Sequence, residues 1–252
     1  MNADCFMRPR GAHAWLLILC LGILAHSCHA QSQDVSTQVE IVSTLIDGHP
    51  STGIDHSNVV VWLTRADRAP VKPDPTSSSG QTPRLIQRNK NFEPHLLVVE
   101  VGTVVQFPNK DPFFHNIFSL YNGKPFDLGL YEAGSTRSVR FDRPGASFLF
   151  CNIHAEMSAV VVALDTPYFG VSDHSGQVRI RSVPPGRYLL HIWYERSEPE
   201  ALQALTRPVT ISPATRTLPS VQVLLDPNLN LSHKNKYGQD YVPPPNPAYT
   251  QP

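Results

Sequence analysis

The chain of 252 residues carries 21 Lys and Arg against 21 Asp and Glu, with 41% hydrophobic and 17% charged residues. That length holds one or two domains of roughly 100–200 residues each, and the composition is that of a globular chain with a real core. Balanced charge excludes the basic surface a nucleic-acid binder needs, and 24 prolines, well above the usual share of about 5%, disfavour long helices and favour strands, turns and tails.

Residues 1–30 read as an export signal. Arg8 and Arg10 give a basic start, and the apolar run Ala14–Ala25 spans twelve residues, short of the roughly 20 that a spanning helix needs. Ser27-Cys28-His29-Ala30 then offers small residues before a cut after Ala30. An uncleaved anchor and a lipoprotein signal with Cys28 lipidated are the competing readings; His26 fits a lipoprotein box poorly. No later segment is apolar enough to span, so the mature chain is expected to be secreted or periplasmic, without stable membrane insertion. Cleavage removes Cys5, Cys20 and Cys28 and leaves Cys151 as the single thiol, which excludes an internal disulfide.

Strand signals follow one another along the chain. Val39–Ile46 alternates loosely and Asn58–Leu63 is rich in Val. Residues 67–84 form a Pro/Ser/Gly stretch read as a mobile loop. Leu96–Glu100 and Val104–Phe107 flank Val101-Gly102-Thr103 and are expected to form a hairpin. Ser138–Phe141 alternates, and Arg143-Pro144-Gly145 turns into Ser147–Cys151, with Phe148 and Phe150 on one face and Leu149 and Cys151 on the other. Ser158–Leu164 is an apolar strand. Together these predict an all-β sandwich over 31–165. A second, smaller β unit is expected over 166–225, with strands at Val178–Ile180, Arg187–Tyr194, Pro208–Ile211 and Val221–Leu225. Residues 226–252 are polar and proline-rich and read as an extended or disordered tail.

The chemistry concentrates in Cys151-Asn152-Ile153-His154-Ala155-Glu156-Met157, a short loop between two strands, together with His115 upstream. A buried structural thiol would account for Cys151 alone. With His115, His154 and Met157 the set matches a blue-copper electron-transfer site: thiolate and thioether suit Cu(I), and imidazole suits both copper states. His115, Cys151 and His154 can form a trigonal plane, with Met157 as a weak axial ligand. Zinc would need a second Cys pair, and covalent haem needs Cys-x-x-Cys-His. A Cys/His nucleophile pair needs the imidazole to face the thiol as a base. His95, His174, His191, His49, His56 and His233 carry no comparable spacing and read as packed or surface residues. There is no Walker loop, dinucleotide fingerprint, G-x-S-x-G or H-E-x-x-H, so no enzymatic activity is expected.

The stretch from His115-Asn116 through Phe148–Met157 resembles the cupredoxins. The Cys-x2-His-x2-Met spacing is the short ligand loop of the amicyanin type. Gly102, Asn109-Lys110-Asp111, Asp127-Leu128-Gly129 and Pro144-Gly145 resemble exported plastocyanin-like proteins grouped with methylamine-utilisation proteins. The resemblance implies a Greek-key sandwich with one type 1 copper at one end, and single-electron transfer between redox proteins that dock transiently around His154. It also implies that Asn116 ties the ligand loop to its neighbour and donates toward the thiolate. Many cupredoxins place Pro before the loop histidine, where this chain has Ile153. The Ile153 N–H is therefore free to bond the Cys151 sulfur, which would raise the reduction potential. Residues 172–180 and 183–188 resemble the transthyretin-like, carboxypeptidase-regulatory-like domain, which implies a small β-sandwich without catalytic residues. Trp193, Tyr188 and Tyr194 could form a carbohydrate platform there, with core packing the simpler reading. An envelope copper-delivery protein and a carbohydrate-binding or adhesive module remain the alternative functions.

Overall fold

The computed structural model describes residues 31–43, 54–67, 81–120, 123–229 and 231–241. The export signal expected over 1–30, most of the loop expected over 67–84 and the last part of the proline-rich tail lie outside the described residues. Among the described residues no helix is long and apolar enough to cross a membrane.

The chain is nearly all β. In order it forms β1 (Gln33–Ser43), β2 (Val60–Arg65), β3 (Ile86–Arg88), β4 (Asn91–Glu93), β5 (Leu96–Glu100), β6 (Val104–Pro108), β7 (His115–Ser119), β8 (Phe126–Tyr131), β9 (Thr136–Arg140), β10 (Gly145–Phe150), β11 (Ser158–Leu164), β12 (Phe169–Val171), β13 (Gln177–Val183), β14 (Gly186–Trp193), the single-turn helix α1 (Pro199–Ala204), β15 (Arg207–Ile211) and β16 (Val221–Leu225). One sandwich has a five-stranded sheet in the order β5-β11-β10-β7-β8, facing the β6-β9 and β3-β4 ribbons. Its core contains Val105, Phe107, Ile117, Phe141, Leu149, Cys151, Met157 and Val161. The alternation in β10 puts Leu149 into this core, with Cys151 following on the same side, while Phe148 faces outward.

Two expectations are corrected. Val39–Ser43, the described part of the expected strand Val39–Ile46, and Asn58–Leu63, placed by sequence in the first sandwich, build the second. β1 pairs antiparallel with β13 and parallel with β16, and β2 lies between β12 and β14. The second sandwich thus stacks the β13-β1-β16 sheet on the β12-β2-β14-β15 sheet over Val35, Val39, Ile41, Val61, Leu63, Ile180, Leu190 and Val223. The first sandwich is inserted between β2 and β12. Alternation marks a strand's buried face but not its partner, which here lies more than a hundred residues away. Second, β5 and β6 do not form a hairpin. The turn exists, with Thr103 N–H bonded to Glu100 O at 3.1 Å and Gly102 at φ +94°. Its arms part into different sheets, however, β5 pairing with β11 and β6 with β9.

The two sandwiches share an apolar seam. β11 is buried on both faces: Ala159, Val161 and Ala163 point into the first core, and Val160, Val162 and Leu164 pack on Val60, Trp62 and Trp193 of the second unit. A continuous apolar run is the sequence mark of a strand covered on both sides. A groove of about 1080 Å³ also runs between the units, flanked by Trp62, Phe148, Phe150, His191 and Trp193. His191 bonds Thr64 Oγ1 at 2.8 Å and stacks on Trp62. Tyr188 is fully buried, with its hydroxyl on Pro184 O, so it is a core residue and no part of a sugar platform.

Candidate metal centre

Two segments that meet at one end of the first sandwich bring His115, Cys151 and His154 together. His115 opens β7, which joins β10 at Phe118 and Phe150. Cys151 directly follows β10, and the tight loop to β11 carries His154. Met157 closes that loop: Cys151 N–H bonds Met157 O at 3.3 Å and Met157 N–H bonds His154 O at 3.2 Å. Met157 and Cys151 are both fully buried in the same core. The structure thus brings the donor atoms of His115, Cys151 and His154 together, with Met157 buried at the end of the same loop.

The nitrogen and sulfur donors of His115, Cys151 and His154 lie within 4.8 Å of one another. Cys151 Sγ is 3.8 Å from His115 Nδ1 and 3.7 Å from His154 Nδ1. An ion at about 2.0 Å from nitrogen and about 2.3 Å from sulfur spreads those atoms by about 3.5 Å at a tetrahedral angle and about 3.7 Å at a trigonal one. The observed separations are of the size expected for donors that can share one ion.

The protonation states also fit a metal. His115 is completely buried, and its Nε2–H donates to Asp111 Oδ2 at 2.7 Å. That bond fixes the tautomer and leaves a bare lone pair on Nδ1 facing the sulfur. Burial lowers the His115 pKa, opposed by Asp111. Burial, reinforced by His115 close by, brings His154 down to about 4. Both rings are thus neutral and able to ligate near pH 7. Burial pushes the Cys151 thiol up, while backbone N–H groups of Asn116, Ile153 and His154 directed at the sulfur pull it down. The Ile153 N–H, expected from sequence to be free, is thus one of the backbone groups that favour the thiolate, with burial the larger and opposing effect.

Asn116 differs in part from expectation. Its backbone lowers the Cys151 pKa, as a group donating toward the sulfur would, but its Nδ2 bonds Asp127 Oδ1 in β8 at 2.7 Å and not the ligand loop. Asp111 appears in the sequence reading only as part of the motif Asn109-Lys110-Asp111, with no role of its own. It is 4% exposed and accepts from Asn89 N–H at 2.6 Å and Lys90 N–H at 2.9 Å as well as from His115. Asn89 and Lys90 both have φ of 54°, the left-handed pair of a two-residue hairpin turn between β3 and β4. One carboxylate therefore holds a strained turn and a site imidazole together. Its position four residues before His115 was the available signal. His154 is only partly buried, its ring 5.6 Å from that of Phe113. Phe114, Leu130 and Ile153 beside these segments are 55%, 59% and 45% exposed.

No family model and no curated protein matches this chain. Among solved structures, it is similar to a Cu-containing nitrite reductase (NirK) from Thermus scotoductus, at 23% identity and a TM-score of 0.32, over 33% of this chain and 22% of the reductase. It is also similar to a purple cupredoxin from Nitrosopumilus maritimus, at 23% identity and TM-score 0.30, over 32% of this chain and 99% of that one. A mutant of amicyanin in its Cu(I) form matches at 19% identity and TM-score 0.31, over 32% of this chain and 80% of that one. The chain thus spans about a fifth of the reductase's length, and none of these TM-scores reaches 0.5.

Proposed function

We propose that this chain is an exported electron carrier of the cupredoxin type, holding one type 1 copper through His115, Cys151 and His154, with Met157 as the weak axial ligand. The observation that carries this reading is the pair of imidazole Nδ1 atoms at 3.7 and 3.8 Å from one buried thiol, with both lone pairs unprotonated near pH 7. The copper would supply a single electron that can leave and return. Cys151 and the imidazoles hold their places through Asp111, the three backbone donors and the surrounding core, so both charge states meet the same donor positions. His154, the one partly exposed donor, is the port, and exposed Phe114, Ile153 and Leu130 offer an apolar rim to a redox partner that docks briefly. Net charge near zero leaves little long-range steering.

The test is addition of Cu(II) to the purified protein, followed by visible and paramagnetic-resonance spectra. An intense blue thiolate-to-copper band, lost in Cys151→Ser and His115→Ala, supports the reading. Tight copper binding with no such band overturns it.

A further inference from the structure

Residues 226–252 read from sequence as an extended or disordered tail, but residues 231–241 return from the second sandwich and lie against the candidate ligand loop. His233 Nε2 lies 2.9 Å from Ala155 O, and its ring stacks on Phe150 with centroids 3.8 Å apart. The Tyr241 hydroxyl donates to Cys151 O at 2.8 Å and stands 3.2 Å from His233 Nδ1. Lys236 N–H donates to Asn152 Oδ1 at 3.0 Å, and its ammonium reaches Asp127 Oδ2 at 2.7 Å. Asp127 in turn accepts from Asn116 Nδ2, the neighbour of His115. The segment holds its own shape through a turn in which Asn235 Oδ1 accepts from Tyr237 and Gln239 N–H, and Asn235 O from Gly238 N–H.

These contacts share a pattern. They fall on Cys151, Asn152 and Ala155 of the loop and, through Asp127, on the residue after His115. They use carbonyls and side-chain amides and leave the Cys151 Sγ, His115 Nδ1 and His154 Nδ1 atoms untouched. A seven-residue loop whose own backbone bonds are the two at 3.3 and 3.2 Å gains an outside splint that does not compete for its donors. We propose that residues 231–241 form a clasp that holds the ligand loop in its donor geometry before metal arrives and slows metal loss afterwards. Tyr241, His233 and Lys236 are its positioning residues. The part of this inference that concerns metal rests on the copper reading above; the part that concerns loop order does not. Fixing ligands beforehand lowers the ordering cost of binding, and contacts outside the ligand set commonly change metal affinity 10–100-fold, in the approximate range seen at other sites.

The experiment compares the full chain with Tyr241→Phe, which removes one oxygen, and with the combined His233→Ala, Lys236→Met, Tyr241→Phe variant. Backbone hydrogen exchange of the metal-free proteins is read peptide by peptide. We expect about tenfold faster exchange in Tyr241→Phe, one hydrogen bond's worth, and more in the triple variant. The change should be confined to 151–157 while β5 and β11 keep their protection. In parallel, transfer of copper from the loaded protein to a chelator should speed up about tenfold or more. Unchanged exchange over 151–157 in the triple variant overturns the clasp. Faster exchange in a protein that never forms the blue band upholds the clasp and refutes the copper reading, so the two failures are distinguishable.

Discussion

Replacing Asp111 by Ala is the sharpest single perturbation outside the donor atoms. The carboxylate accepts three hydrogen bonds at 2.6, 2.9 and 2.7 Å and is almost fully buried. Hydrogen bonds to a charged group contribute about 1.5–3 kcal/mol each. Water can replace the carboxylate at the Asn89 and Lys90 N–H groups, which are only part-buried, but not at the fully buried His115 Nε2–H. Breaking such a buried pair costs about 3–5 kcal/mol, and we expect Asp111→Ala to fall in that range. Against a total stability of roughly 5–15 kcal/mol that is a large loss, readable as a shifted urea midpoint with an unchanged slope. Asp111→Asn keeps an acceptor oxygen and should lose about half as much. Because the His115 ring loses the partner that fixes its tautomer, copper affinity should fall about 10–100-fold in Asp111→Ala, and by less in Asp111→Asn. A change below about 1 kcal/mol in Asp111→Ala, with copper affinity intact, would refute the view that this carboxylate orients the imidazole.

Further outcomes follow from other parts of the molecule. Ile153→Pro removes one N–H donor to the Cys151 sulfur and should lower the reduction potential measured by voltammetry; an unchanged or higher value contradicts the assigned role. Gly176→Ala places a methyl against Val39 O at a φ of +84° and should cost about 2–4 kcal/mol from left-handed strain and overpacking. A neutral effect on thermal unfolding would argue that β1 does not belong to the second sandwich. Leu164→Ala in the seam should cost about 2–4 kcal/mol, and loss of less than about 1 kcal/mol would mean the two units are not packed there. His95 Nε2 lies 2.5 Å from Glu195 across the units, and that contact raises the His95 pKa above its ordinary 6.5. The raised value means the pair's contribution is complete below 6.5 and fades as pH climbs through the folded-state pKa. The stability gap between wild type and Glu195→Gln should therefore be larger at about pH 5.5 than at about pH 8.5. It should be small throughout because His95 is partly exposed, and a gap that widens with pH would contradict the assignment.

The candidate centre was largely legible in the sequence because its donors cluster. Three of the four residues sit in one seven-residue loop, where spacing alone constrains geometry, and alternation in β10 placed Cys151 on the buried side. The all-β class was legible for a similar reason, since period-two burial is local. What could not be read was partnership. β1 and β2 show the same alternation whichever sandwich they join, and their assignment depends on β13, β14 and β16 far along the chain. β7 and β8 escaped notice because β7 is buried throughout and lacks alternation, while β8 carries Gly129 and an exposed Leu130. The role of Asp111 and the place of the 231–241 segment were missed on the same ground: an acid beside Pro112 and a polar, lysine-bearing tail look like surface until tertiary contacts give each carboxylate and hydroxyl its partner.

X-ray absorption at the copper edge of the loaded protein tests the central claim most directly. The account predicts one sulfur at about 2.2–2.3 Å and two nitrogens at about 2.0 Å, with the sulfur signal absent in Cys151→Ser. A first shell of oxygen and nitrogen alone, or copper bound equally well without the thiol, would contradict it.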